Sequence, residues 1–135
     1  MRSGEPGLTR VLVVENEPDY LPIYDRLLRR HGYDVVAATT RSAGLLALVR
    51  EQPNLVVCDL RLPDGDGLDV VRAARAMANP SPVMVVTGHA SGETRRAALA
   101  AGAVTFIAKP FTAATLLTQI RLILDGPPGP PRQEV

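Results

Sequence analysis

The sequence predicts an α/β domain of (βα)5 type, a doubly wound parallel sheet with helices on both faces. Three observations carry that expectation. Five short apolar runs recur along the chain without strict alternation, as strands buried on both faces do. Segments with helical spacing separate them. Cap and turn residues stand at the junctions, and alternation of this kind implies parallel strands joined by helical crossovers.

The first run is Val11–Val14, followed by a helical segment, Pro18–His31, with Leu21, Tyr24, Leu27 and Leu28 on one face. Pro22 falls in the second turn of that segment and is a candidate kink. Gly32 stands where a helix C-terminal glycine belongs. The second run is Asp34–Ala38, and Thr39 or Thr40 can cap a helix over Arg41–Glu51. The third run, Leu55–Asp59, leads into a Gly-rich turn and a helix over Leu68–Ala78. The fourth, Val83–Thr87, precedes an Ala-rich helix over Ser91–Ala101, with Ser91 as its cap and Gly102 past its end. The fifth, Val104–Ala108, precedes a helix over Thr112–Leu124 with Thr112 as its cap.

A length of 135 residues suits one domain, and 46% hydrophobic residues suffice for one core. The division expected is a flexible N-terminus over 1–9, an ordered body over 10–124 and a Pro/Gly-rich tail or linker over 125–135. A net charge of +1 without a dense basic run gives no reason to invoke nucleic acid. No stretch has the apolar length of a membrane span or a signal peptide, so a soluble cytoplasmic protein is expected. The single cysteine, Cys58, lies in an apolar run and reads as a buried, inert thiol.

In an open parallel sheet, sites form beyond the carboxyl ends of the strands. Glu15-Asn16-Glu17 ends the first strand, Asp59 the third, Thr87 the fourth and Lys109-Pro110 the fifth. Each alone is unremarkable: an Asp before a turn is often only a turn former. Asp64 and Asp66 read as turn residues, Glu17 as a cap or a solvent-facing side chain, and His31 and His89 as surface residues. The force of the pattern lies in several such groups ending strands on one edge of one sheet. With the first and third strands adjacent, Asp59 faces Glu15 and Asn16 across a crevice. Their oxygens suit Mg²⁺, while Lys109 adds a fixed positive charge and Thr87 a hydroxyl donor. Such a set suits phosphoryl transfer to the Asp59 carboxylate, a reaction that depends on positioning and electrostatics.

From Thr9 to Leu124 the sequence closely resembles the receiver domain of two-component response regulators. The resemblance rests on Val11–Glu17, on Leu55–Gly67 around Asp59, on Val83–Gly88, on Ala101–Ala103, and on Phe106–Phe111. It implies a flavodoxin-like fold with strand order 2-1-3-4-5. It also implies phosphorylation of Asp59 by a sensor histidine kinase or phosphotransfer protein with Mg²⁺ as the required ion. Thr87 and Lys109 would sense the phosphate, and Phe106 would follow the state of Thr87. The metal ligands would be Glu15, Asn16, Asp59 and the backbone carbonyl of Arg61. The Lys109–Pro110 bond would be cis, and the side chains of Arg61 and His89 would tune the lifetime of the phosphorylated form. The fourth helix, fifth strand and fifth helix would form the output surface, acting on a downstream protein or an output domain, with a homodimer through the fourth and fifth helices left open. The domain itself is expected to be a phosphoacceptor that assists its own phosphoryl transfer and dephosphorylation, not an enzyme.

One departure matters. The family usually ends its first strand with two acids, whereas Asn16 here keeps an oxygen without the charge. Weaker Mg²⁺ binding than in a typical receiver is therefore expected, with Glu15 compensating. The alternative is a pseudo-receiver that binds partners without phosphorylation. An aspartyl phosphatase fits less well, because it would want its nucleophile after the first strand. A flavin carrier would want a phosphate loop where this chain is acidic.

Overall fold

The computed structural model describes residues 8–126. Most of the expected flexible N-terminus (1–9) and of the Pro/Gly tail (125–135) lies outside the described residues. The strands are β1 (Arg10–Val14), β2 (Asp34–Ala38), β3 (Leu55–Cys58), β4 (Arg61–Leu62), β5 (Gly65–Asp66), β6 (Val83–Thr87) and β7 (Thr105–Ala108). The helices are α1 (Leu21–Arg30), α2 (Arg41–Glu51), α3 (Leu68–Ala76), α4 (Gly92–Ala101) and α5 (Ala113–Asp125). Five strands form one parallel sheet in the order β2-β1-β3-β6-β7. Apart from the small antiparallel hairpin β4-β5, which takes two strand numbers, this is the 2-1-3-4-5 order.

Side chains alternate across each strand, so consecutive apolar residues feed two separate cores. Leu12, Val14, Val56, Cys58 and Val85 pack on one face with Leu48, Val70, Val71 and Ala74. Val11, Val13, Val57, Met84 and Val86 pack on the other with Tyr24, Leu28, Leu116 and Ile120. Every residue of β1, β3 and β6 is buried. That is why their sequences run apolar without alternation. Burying each such Val or Leu contributes about 1.5–3 kcal/mol against an exposed reference.

Helix starts follow local chemistry. Thr40, rather than Thr39, caps α2, its Oγ1 accepting the Ala43 N–H at 3.0 Å. Ser91 and Thr94 form a reciprocal capping box on α4, and Thr112 caps α5. Asp64 strengthens α2 from a distance: its carboxylate accepts the N–H groups of Arg41 (2.6 Å) and Ser42 (2.9 Å). Those are orphan donors of the first helical turn, and a carboxylate there also suits the helix dipole. The bonds hold the Asp64 carboxyl at about 2, below its ordinary range. At the start of α3, Asp66 accepts the Leu68 N–H at 2.9 Å. The two aspartates thus serve helix starts from the hairpin.

Pro22 does not kink α1. The helix begins at Leu21 rather than Pro18, so proline falls in the first turn, where its missing N–H has no intrahelical acceptor to lose. At the amino end of the sheet, Arg10 is buried against Asp34 (2.7 Å) and Glu51 (3.3 Å), joining β1, β2 and the end of α2. The backbone N–H of Arg10 also donates to Asn54 Oδ1. This clamp lies at the end of the strands opposite the site.

Candidate functional site

Asp59 is the first residue beyond β3, and its N–H still donates to Val14 O at 3.0 Å. Its carboxylate is buried and held on both oxygens. Oδ1 accepts the Leu60 N–H at 2.6 Å and faces the Arg61 N–H at 3.4 Å. Oδ2 accepts from Lys109 Nζ at 2.8 Å. The backbone behind it is equally constrained. Gly67 donates its N–H to Leu60 O at 2.7 Å, and a Cβ there would stand 2.0 Å from the Asp59 carbonyl oxygen. Only hydrogen fits, so the hairpin closes directly on the backbone that aims Asp59.

Lys109 follows β7, with its N–H on Thr87 O at 2.9 Å and a cis bond to Pro110. The buried ammonium gathers three carboxylates: Glu15 Oε1 at 2.6 Å, Asp59 Oδ2 at 2.8 Å and Glu17 Oε1 at 3.1 Å. Nζ also lies 4.2 Å from the centre of the Tyr20 ring, a cation–π contact. Burial alone would lower the Lys109 pKa, but the Asp59 and Glu15 carboxylates outweigh it and the net direction is upward. For Glu15, burial dominates and raises the carboxyl against the pull of Lys109. Lys109 therefore stays cationic throughout the physiological range.

Glu15 ends β1, its N–H on Ala38 O at 2.9 Å, and its Oε2 accepts the Glu17 N–H at 3.0 Å. That bond folds Glu17 back toward the crevice. The expectation that Glu17 only caps or faces solvent is thus corrected: its side chain is half exposed, yet its carboxylate shares Lys109 with Asp59. Oxygens of Glu15, Glu17 and Asp59 all lie within 4.8 Å of one another. Asn16, between the two glutamates, is exposed.

Thr87 is fully buried at the end of β6, and its Oγ1 accepts the His89 N–H at 3.2 Å. The hydroxyl proton remains available as a donor. Phe106 is partly buried on β7, paired in register with Val85 and packed on the core shared with α2 and α3. Arg61 and His89 are exposed and share an open groove of about 790 Å³ between the hairpin and the start of α4. Cys58 is buried, and burial, then the nearby Asp59 and Glu15 charges, push its thiol pKa up, so it stays protonated.

An aromatic cluster flanks the ammonium and had no counterpart in the sequence reading. Tyr24 stacks on Phe111 with ring centres 5.6 Å apart, and Tyr20 meets the same ring at 5.7 Å. Among the described residues, the buried Tyr24 hydroxyl has no hydrogen-bond partner. The signal available was the pair Tyr20 and Tyr24 at i, i+4 just after the acidic run.

A parallel sheet of this order, with an acidic crevice and a lysine at its carboxyl edge, defines a flavodoxin-like α/β domain. The chain belongs to the response regulator receiver domain family, whose model matches residues 11–121. It is a signalling domain of the kind found in two-component systems. Among curated relatives, the transcriptional regulatory protein PrrA of Mycobacterium tuberculosis is 37% identical over 122 residues, covering 89% of this chain and 52% of that protein. The probable transcriptional regulatory protein TcrX of the same organism is 33% identical over 124 residues, covering 92% and 53%. The chain spans about half the length of the curated relatives it matches. Among solved structures, a CheY-like response regulator receiver domain protein from Methanospirillum hungatei JF-1 is 34% identical with a TM-score of 0.84, covering 88% of this chain and 95% of that one. The receiver domain of the sensor histidine kinase PA1611 from Pseudomonas aeruginosa PAO1 has a magnesium ion coordinated in its active site cleft. It is 27% identical with a TM-score of 0.80, covering 88% and 99%. Among the described residues, no helix is long and apolar enough to cross a membrane.

Proposed function

We propose that Asp59 accepts a phosphoryl group from a partner histidine kinase or phosphotransfer protein and that the domain then switches its α4–β7–α5 surface. The observation that carries this reading is the buried Asp59 carboxylate, oriented by the Leu60 N–H on one oxygen and by Lys109 on the other. An oxygen of Asp59 attacks phosphorus, the bond from phosphorus to the donor imidazole breaks, and the leaving imidazole takes up a proton. Lys109 offsets charge on the phosphoryl oxygens without having to move in from solvent, which is pre-organised electrostatic help. The new group carries about −1.5 to −2 charges near neutral pH. Thr87 then moves to donate its hydroxyl proton to a phosphoryl oxygen, which strains its contact with the His89 N–H. That movement frees space beside Phe106, and the start of α4 follows.

The donors present fit Mg²⁺. Three carboxylates converge on one ammonium and are left with excess negative charge, and oxygen-only sets favour hard cations. Glu15, Asp59, Asn16 and the Arg61 carbonyl are the residues that would hold it. When bound, Mg²⁺ screens the phosphoryl oxygens and so lowers the cost of bringing them to a carboxylate. In the cell, the domain serves a downstream protein or an output domain, in keeping with its match to about half of each transcriptional regulator.

The test is incubation with a small acyl phosphate donor and Mg²⁺, read by intact mass. A gain of one phosphoryl group in the wild type and none in Asp59→Asn supports the reading. No gain in the wild type favours the pseudo-receiver, a reading that draws on the neutral, exposed Asn16.

A further inference from the structure

We propose that Glu17 supplies the second charged ligand of the divalent cation, taking over the charge that Asn16 lacks. This rests on the metal-dependent reading above and assigns a ligand that the sequence pattern does not.

The geometry points to Glu17 in three ways. First, one positive point already sits where the three carboxylates meet. Lys109 Nζ lies 2.6 Å from Glu15, 2.8 Å from Asp59 and 3.1 Å from Glu17. The ammonium thus demonstrates that Glu17, two residues beyond Glu15, reaches the same centre as the buried pair. Second, the backbone presents Glu17 there for a reason. Its N–H is tied to Glu15 Oε2 at 3.0 Å, and its carbonyl accepts the N–H groups of Tyr20 (3.0 Å) and Leu21 (3.3 Å). The turn after β1 is closed on both sides of the residue, so the direction of its side chain is set by main-chain bonds. Third, the buried Glu15 Oε1 meets only Lys109, at 2.6 Å, among the described residues, which leaves one of its lone pairs unused. A buried carboxylate oxygen in that state retains capacity for a cation.

Charge then decides between Asn16 and Glu17. Affinity for hard cations follows the number of charged oxygen ligands. With Asn16 as the partner of Glu15, only Glu15 and Asp59 bring charge, and Lys109 offsets one of them. With Glu17 included, the set holds three carboxylates against one ammonium, which leaves enough charge for a dication. Glu17 is also half exposed at its side chain while Glu15 and Asp59 are closed off, so it stands at the mouth through which a hydrated ion enters.

The test is a Mg²⁺ titration of wild type, Glu17→Gln, Glu17→Asp, Asn16→Asp and the double variant Asn16→Asp/Glu17→Gln. The chain has no tryptophan, so intrinsic tyrosine fluorescence reports the site through Tyr20, 4.2 Å from Lys109. No phosphoryl transfer is needed for this readout. Glu17→Gln should raise the Mg²⁺ dissociation constant by about tenfold or more, the usual scale for losing a carboxylate that supports a bound metal. Glu17→Asp keeps the charge but shortens the arm, so it should lose most of the same affinity if contact matters. In the Asn16→Asp background, the loss from Glu17→Gln should shrink to about threefold or less, because the charge is restored next door. Two outcomes overturn the proposal: Glu17→Gln within about twofold of wild type, or an equal loss in both backgrounds, which would mark a remote charge effect. Failure of every protein to bind, Asn16→Asp included, would overturn the metal-dependent reading itself and this proposal with it.

Discussion

Replacing Gly67 by alanine should disable Asp59 without touching any reacting group. A Cβ at Gly67 would stand 2.0 Å from the Asp59 carbonyl oxygen and 2.9 Å from its carbon, whereas real Cβ atoms essentially never approach closer than 3.0 Å. The atoms opposed are backbone on both sides, so no side-chain rotation relieves the clash. The hairpin and the Asp59 peptide must part by about 1 Å, and a misplacement of that size at a reacting group costs roughly 100-fold in rate. Because Asp59 is held by Leu60 N–H at 2.6 Å and Lys109 at 2.8 Å, the shift breaks at least one of those bonds. Overpacking of this kind also costs about 1–3 kcal/mol of stability. The assay is the rate of phosphoryl gain by intact mass, run beside urea unfolding to separate misplacement from loss of fold. Gly88→Ala is the control, since a Cβ there meets nothing within 4 Å among the described residues. A folded Gly67→Ala protein that accepts phosphoryl groups at the wild-type rate refutes the reasoning.

Other outcomes follow from the same structure. Arg10→Ala leaves Asp34 buried and unpaired, so urea unfolding should show a loss of about 3–5 kcal/mol; a loss below about 1 kcal/mol would mean the clamp is not desolvated. Tyr24→Phe removes a buried hydroxyl that has no partner among the described residues, so stability should hold or rise by about 1 kcal/mol, and a clear drop in the urea midpoint would reveal a partner. Asp64→Asn should lower the thermal midpoint at pH 7, because its carboxylate accepts two N–H groups at the start of α2. Its folded pKa is depressed to about 2, so that stabilisation is complete above its ordinary 3.8 and is lost as pH falls through 2. Melts of both proteins should therefore converge as the pH is lowered from 4 toward 2, and a gap that persists would contradict the role.

The strand endings were readable because burial on both faces leaves an apolar run whose first polar residue marks the edge of the sheet. Asp59, Thr87 and Lys109 could be placed on one edge from that alone. Arg10 and Asp34 open their strands and pair across β1 and β2 in register. Neither stood out, because a charge at a strand start usually faces water. Glu17 is exposed, as a solvent-facing residue would be, but its reach to Lys109 depends on the turn closed by the Tyr20 and Leu21 N–H groups, which no spacing rule encodes. Asp64 is the turn residue that the sequence predicts, but its bonds to Arg41 and Ser42, 23 and 22 positions back in the chain, leave no mark in the sequence. Long-range hydrogen bonds of this kind are set by tertiary packing, and sequence periodicity carries no trace of them.

The most direct test of the central claim is to locate the phosphoryl group. After incubation with an acyl phosphate donor and Mg²⁺, borohydride reduction converts an aspartyl phosphate to homoserine, which peptide mass spectrometry can place in the chain. Homoserine at position 59 alone, absent from Asp59→Asn, is the result expected. Label at another carboxylate, or an unmodified Asp59 in a protein that has gained the group, would contradict the account.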